Sequence, residues 1–261
     1  MISKQTFDIY IYLKMKNIFY VLLLFSQVFF AQSGFEKGND LYQKGKYAEA
    51  AKAYESVLES QQESAQLYFN LGNCYYKLHK TAPAIYNYEK ALVLDPNNKQ
   101  VLNNIKFAQK QTIDEIKVVP KVGFAKLLRD FTGIYPFDTW AWISITFAFL
   151  FLLFFMGYYL SQTVAVKRIF FIGMFIVLFF VLMSFSAAFF EKRHYENERP
   201  AVVFAESAEV RSEPQKASNT TFVLHEGTKV YVLEKLGNWK KIQLTDGTEG
   251  WIDGNAIKEV K

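Results

Sequence analysis

Three histidines, His79, His194 and His225, and a single cysteine, Cys74, are the side chains best suited to metal, redox or nucleophilic chemistry in this sequence. A structural or catalytic metal draws its ligands from short, fixed spacings. No two of these residues stand at such a spacing. There is no G-x-S-x-G turn, no glycine loop of the phosphate-binding kind and no paired cysteine motif. A lone cysteine forms no intramolecular disulfide, and Cys74 beside Tyr75 reads as a small buried hydrophobe. No cysteine lies near the end of the N-terminal apolar run, so there is no lipidation site. No catalytic residue, cofactor or metal is expected, and the remaining polar chemistry is recognition: the amides of Asn39, Asn70 and Asn73 and the indoles of Trp239 and Trp251.

The asparagines belong to a stretch that repeats. Gly38, Asn39, Ala50, Tyr54 and Leu58 recur as Gly72, Asn73, Ala84, Tyr88 and Leu92, a period of 34 residues. The small residues let paired helices approach closely and the tyrosines fill the space beside them. Asp95-Pro96-Asn97-Asn98 ends the last helix of the second copy, because proline cannot continue it and asparagine caps the next. The period and the run Tyr68, Leu71, Gly72, Tyr75, Ala84, Tyr88, Ala91, Pro96 resemble the tetratricopeptide repeat. The first copy is weaker, with Lys37 and Gln62 at pattern positions. After Asn98, Val101, Ile105 and Ala108 recur at helical spacing and predict a capping helix. Two repeats and a cap make a thin stack that is expected to lean on a partner or a membrane.

In that family the first helix of each pair lines a concave groove. The resemblance makes Phe35, Asn39, Tyr42, Phe69, Asn73 and Tyr76 candidate peptide contacts, with Asn70 nearby. Some relatives grip a C-terminal carboxylate with asparagines and cations. Here the cations are absent and Phe35 takes one of their places, so an apolar or helical partner segment fits better; neutral asparagines on a repeat face are the plainer alternative.

Thr139 to Leu160 and Ile169 to Phe190 are uncharged, Phe- and Leu-rich runs of 22 residues. At about 1.5 Å per residue each crosses a hydrocarbon layer of about 30 Å, and the short link between them requires an antiparallel transmembrane hairpin. Trp140, Trp142, Tyr158 and Tyr159 suit an interfacial belt. Neither run holds an ionisable residue, which argues against an ion or proton path. Asn17 to Ala31, apolar and preceded by Lys14 and Lys16, reads as a signal peptide or uncleaved anchor.

The tail changes register. Phe222–Leu224, Lys229–Leu233, Lys240–Leu244 and Gly250–Ile252 are short β-rich runs divided by the turn pairs Glu226-Gly227, Gly237-Asn238 and Asp246-Gly247, which predicts about five strands in a small barrel. The order Val210-Arg211-Ser212-Glu213-Pro214, Gly227-Thr228-Lys229-Val230, Trp239, Gly250-Trp251-Ile252 resembles bacterial SH3 domains. Trp239 is the candidate for a ligand face there, although both tryptophans, Trp251 more so, fit a core role.

The net charge of +5 is not a nucleic-acid signal. Residues 34 to 115 hold ten lysines and ten acids, and residues 191 to 261 hold eleven basic and twelve acidic residues. A nucleic-acid face needs a local cationic excess; the excess here borders the apolar runs. The expected organisation is a signal segment over 1–33, repeats and cap over 34–115, a juxtamembrane linker over 116–138, transmembrane helices over 139–160 and 169–190 with a cytoplasmic loop over 161–168, and an SH3-like domain over 199–261. The flanking Lys and Arg leave orientation open; a signal sequence would place both folded parts in the periplasm, on a multi-pass inner-membrane protein. This whole architecture resembles the BatE proteins of the Bacteroides aerotolerance cluster. The resemblance implies a scaffold of an envelope assembly with von Willebrand A-type proteins and a MoxR-type ATPase, linked to oxygen tolerance or stress. The alternative is a cell-wall anchor whose SH3-like domain binds peptidoglycan while the repeats recruit a wall enzyme.

Overall fold

The computed structural model describes residues 34–116 and 123–261; the signal segment expected over 1–33 lies outside them. The chain is multi-domain: a helical repeat region, a hairpin of two long apolar helices, and a C-terminal antiparallel sheet of SH3-like kind. These make two compact units, one combining residues 34–115 with 200–244 and 249–261, the other built on residues 116–199.

In the first unit, helix α1 (residues 34–43) is followed by α2 (Tyr47–Glu59), α3 (Ala65–Lys77), α4 (Thr81–Leu94) and α5 (Lys99–Gln109). Ser64 caps α3 by accepting from the Leu67 N–H, and Asn98 caps α5 by accepting from the N–H groups of Gln100 and Val101. Such a cap satisfies amides that the first helical turn leaves without partners. Close packing of the pairs rests on small residues: a Cβ on Gly72 would stand 2.7 Å from the Tyr88 ring and 3.3 Å from the Ala84 carbonyl. The turn between α1 and α2 has Gly45 at φ +73°, and the equivalent turn between α3 and α4 has His79 at φ +56°. His79 is therefore a turn residue in a left-handed conformation, which histidine tolerates better than most but less well than glycine.

Seven strands follow: β1 (Pro200–Val203), β2 (Ser207–Arg211), β3 (Thr220–His225), β4 (Lys229–Leu236), β5 (Trp239–Gln243), β6 (Glu249–Asp253) and β7 (Ile257–Glu259), in the sheet order β3-β2-β6-β5-β4-β1-β7. All pairings are antiparallel. Val210, Val230, Val232, Ile242 and Ile252 are buried and form the core. The count exceeds the roughly five strands expected from the sequence, in which β1 and β7, four and three residues long, carry no alternation long enough to read.

Every residue of β1 is buried, on both faces. One face lies in the sheet's core; the other rests on the repeats, where Val202 and Val260 join the cluster of Tyr68, Ile85, Tyr88, Val101 and Ile105. Lys229, opposite Val202 in β4, bonds Glu89 of α4 at 2.8 Å. Lys258, opposite Val202 in β7, lies over the rings of Tyr86 and Phe204, and those two rings meet edge to face at 5.6 Å. Gly227, at φ +87°, lets the β3–β4 turn sit against α4: a Cβ there would stand 2.8 Å from Thr112 and 3.0 Å from Thr81. Beyond α5, Asp114 accepts from the His225 backbone N–H at 2.7 Å and the Thr228 hydroxyl at 2.6 Å, and its other oxygen meets the His225 imidazole Nδ1 at 2.7 Å. The thin stack thus leans on the chain's own C-terminal domain.

The second unit contains α6 (Phe124–Thr132), α7 (Phe137–Leu160) and α8 (Val164–Asn197). The link between the long helices is only residues 161–163, and Lys167 and Arg168, expected in a loop of 161–168, already belong to α8. Both residue types propagate a helix well, and the Lys167 N–H is bonded to the Thr163 carbonyl. The hairpin is knitted by aromatic knobs on glycine. A Cβ on Gly157 would stand 2.5 Å from the Phe170 ring, and one on Gly173 would stand 2.1 Å from Phe154. Phe147 stacks on Phe180 at 5.3 Å. The Ser184 hydroxyl is satisfied by the Phe180 carbonyl of its own helix at 2.7 Å. The segment expected to be a linker over 116–138 carries α6, a helix too short to stand out in hydropathy.

Candidate functional site

The groove face of the repeats holds a concavity of about 200 Å³, lined by Asn39, Tyr42, Gln43, Tyr54, Asn70 and Asn73. Its polar wiring is the same in both copies. The Asn39 Oδ1 accepts from the Tyr54 hydroxyl at 2.7 Å and from Asn70 Nδ2 at 3.0 Å. One repeat later the Asn73 Oδ1 accepts from the Tyr88 hydroxyl at 2.7 Å and from Asn104 Nδ2 at 2.8 Å. An asparagine amide has one acceptor oxygen and one two-proton donor nitrogen. With both oxygens engaged, the nitrogens of Asn39 and Asn73 are oriented as donors, one per repeat. Neutral, oriented donors match the carbonyls of a peptide main chain and need no cation.

The tyrosines that hold this arrangement stay protonated. Burial, reinforced by nearby Cys74 and offset by the Asn70 hydrogen bond, pushes the Tyr54 hydroxyl up to about 12. Burial raises Tyr88 further. Each hydroxyl therefore remains a donor at any physiological pH, and the amide orientation is independent of pH in that range.

Of the candidate residues, Asn39, Tyr42, Asn70 and Asn73 meet in the concavity. Phe35 packs against Tyr54 at 5.8 Å and Phe69 against Tyr88 at 6.1 Å, which makes both aromatic supports of the orienting tyrosines. Tyr76 packs half-buried on the edge of the repeat core. Gln43 and Asn104 were missed by the sequence reading, which took Tyr54 and Tyr88 as space-filling repeat residues rather than parts of the groove. The period held the signal for Asn104, which lies 34 residues after Asn70 as Tyr88 does after Tyr54.

Cys74 is buried and free, and burial, with a contribution from Glu55, pushes its thiol up to about 12. It is a packing residue of the first repeat core, with almost no thiolate near neutral pH. His225 is committed to Asp114 and His194 to Glu198 at 3.0 Å. Among the described residues no group of three or more histidine, cysteine or acidic side chains stands close enough to hold a metal.

On the sheet, β5 and β6 alternate. Ile242, Gly250 and Ile252 face the core, while Trp239, Lys241, Trp251 and Asp253 share the opposite face, with Trp239 paired to Asp253 and Lys241 to Trp251. Arg211 of β2 stands opposite Trp251 on the other side. Both tryptophans are half-buried. The core role expected for them falls instead to Ile242 and Ile252, because the pleat turns odd-numbered positions of β5 and β6 outward.

Residues 35–99 match the tetratricopeptide repeat family and residues 206–258 the bacterial SH3 domain family. No curated protein matches the chain. Both modules are typically non-catalytic interaction modules, which places protein–protein interaction, and wall binding for the SH3 part, among the functions they support.

Proposed function

We propose that this chain is a non-enzymatic, membrane-anchored scaffold whose repeat groove holds an extended segment of another envelope protein. The observation that carries this reading is the duplicated Tyr–Asn–Asn hydrogen-bond set, which presents one oriented amide donor per repeat along an open concavity. α7 and α8 are long and apolar enough to cross a membrane, and their large apolar side chains face outward. Soluble proteins do not leave such continuous apolar surface in water, so the bilayer is the solvent that fits them. We place the repeats and the SH3-like domain in the periplasm of a bacterial cell, with the hairpin in the inner membrane. The architecture's resemblance to the BatE proteins makes von Willebrand A-type membrane proteins and a MoxR-type ATPase system the first partners to seek, and oxygen tolerance or stress the setting. Fixing a weakly binding groove at the membrane raises the effective concentration of a membrane-bound partner.

The test is purification of the full-length protein in mild detergent from its own membranes, beside an Asn39→Ala/Asn73→Ala variant. Co-purification of von Willebrand A-type proteins or the ATPase with the wild type, lost in the double variant, is the expected result. Equal recovery with both proteins removes the groove from the function.

The outward tryptophans favour a second reading, a cell-wall anchor. Half-buried aromatic side chains on the outer face of a sheet are favoured at binding interfaces. Full-length protein sedimenting with purified wall sacculi, and failing to after Trp239→Ala, would place the function on the sheet. The full chain is required because α4 covers the β1–β7 face, which an isolated domain would expose.

A further inference from the structure

We infer that α6 is an interfacial helix that lies against the lipid surface, with its apolar face in the boundary between headgroups and acyl chains where α7 enters the membrane. This inference rests on the reading of α7 and α8 as membrane-spanning. At 100° per residue, Phe124, Leu127, Leu128 and Phe131 fall within one third of the helix circumference, and Lys126, Arg129 and Asp130 take the opposite side. The apolar side is left open by the protein: Phe124 is 79% exposed and Leu127 69%. Leaving such side chains in water is unfavourable in proportion to the apolar area they expose. A short helix with a full apolar face and a charged back is the pattern of a helix lying in the interface plane.

The surface that covers it follows from the neighbours of α6. Two ties hold α6 at the end of the hairpin. The Trp140 indole N–H donates to the Thr132 carbonyl at 2.8 Å, closing one of the carbonyls that the helix end leaves open, and Arg129 pairs with Glu191 at 2.7 Å. Trp140 sits in the first turn of α7, and Glu191 follows the last apolar residue of α8. Phe131 and Tyr135 pack on Trp140 at 5.3 and 5.6 Å. The helix is thereby joined to the aromatic end of the apolar hairpin surface, at the level where tryptophan and tyrosine rings settle between water and lipid. Through Phe131 on Trp140 the apolar side of α6 meets the end of the apolar hairpin, and the occupant of one is the occupant of the other.

Site-directed spin labelling of the full-length protein in vesicles of phosphatidylethanolamine and phosphatidylglycerol tests this. The single native thiol is fully buried and stays unlabelled, which the unsubstituted protein verifies. Labels are placed at Phe124→Cys and Leu127→Cys on the apolar face, Lys126→Cys and Asp130→Cys on the polar face, Leu152→Cys in the middle of α7, and Glu213→Cys in the SH3-like domain. The ratio of oxygen to water-soluble nickel collisions is expected to be several-fold higher at 124 and 127 than at 126 and 130, and highest at 152. Labels at 124 and 127 as water-accessible as 213, with 152 in lipid, would overturn the proposal and point to a protein partner for this face. Water access at 152 as well would overturn the membrane reading itself.

Discussion

Replacing Asp114 with alanine is expected to loosen the SH3-like domain from the repeats without unfolding either. The carboxylate accepts from the His225 N–H, the Thr228 hydroxyl and the His225 imidazole, all within 2.7 Å. Hydrogen bonds to a charged group contribute about 1.5–3 kcal/mol each, and a buried donor left unpaired adds a desolvation cost of similar size. Thr228 is only 4% exposed, so water does not fully replace the lost acceptor. Allowing for partial relaxation, the docked state loses about 3–5 kcal/mol; the Lys229–Glu89 pair and the burial of Val202 and Val260 remain. Hydrogen–deuterium exchange of the full-length protein in detergent reads this directly. Amides of β1 and of α4 are expected to exchange about a hundredfold faster or more, at 1.4 kcal/mol per tenfold, with α7 and α8 unchanged. Unchanged protection in β1 and α4 would refute the argument. Acid gives the same result by another route. Burial by itself would raise the Asp114 carboxyl, but the His225 N–H, the Thr228 hydroxyl and the His225 side chain outweigh it and hold it below the ordinary aspartate value. A carboxyl lowered in the folded state stabilises docking fully above its unfolded value, about 3.9. That contribution is lost as the pH falls through the folded value, so acid loosening of β1 is expected only below about pH 4 and is absent from Asp114→Ala.

Cys74, buried and with its thiol pushed up to about 12, is expected to resist iodoacetamide at pH 8 in the native protein and to react at once in denaturant; prompt native labelling would contradict its place in the repeat core. His79→Gly relieves the left-handed backbone at φ +56° and is expected to raise repeat stability by about 0.5–1 kcal/mol, seen as a higher denaturation midpoint. A lower midpoint would show that the histidine side chain contributes more than its backbone costs.

The sequence by itself determined the parts. A 34-residue period with small residues and tyrosines in matching places specifies stacked helix pairs, because those contacts are between neighbours in the chain. Two apolar runs separated by a few residues leave only a hairpin, since length and hydropathy are local quantities. The turn pairs around Gly237 and Gly247, both at positive φ, marked the β-rich tail for the same reason. Tertiary structure decided what the parts do to one another. Asp114 and His225 are 111 positions apart, and no periodicity links them. The unbroken apolar run Ala201–Val203 carried a faint sign of burial on both faces, but not that α4 would supply the second face. The neighbours of Trp239 and Trp251 in sequence favoured a core role over the ligand face for which Trp239 was the candidate, and only the register of β5 against β6 placed both on the face opposite the buried Ile242 and Ile252. The asparagines were visible as residues and as a repeat. Their orientation as donors follows from Tyr54 and Tyr88 reaching across from the other helix of each pair, 15 residues away, a distance that only the packed fold closes.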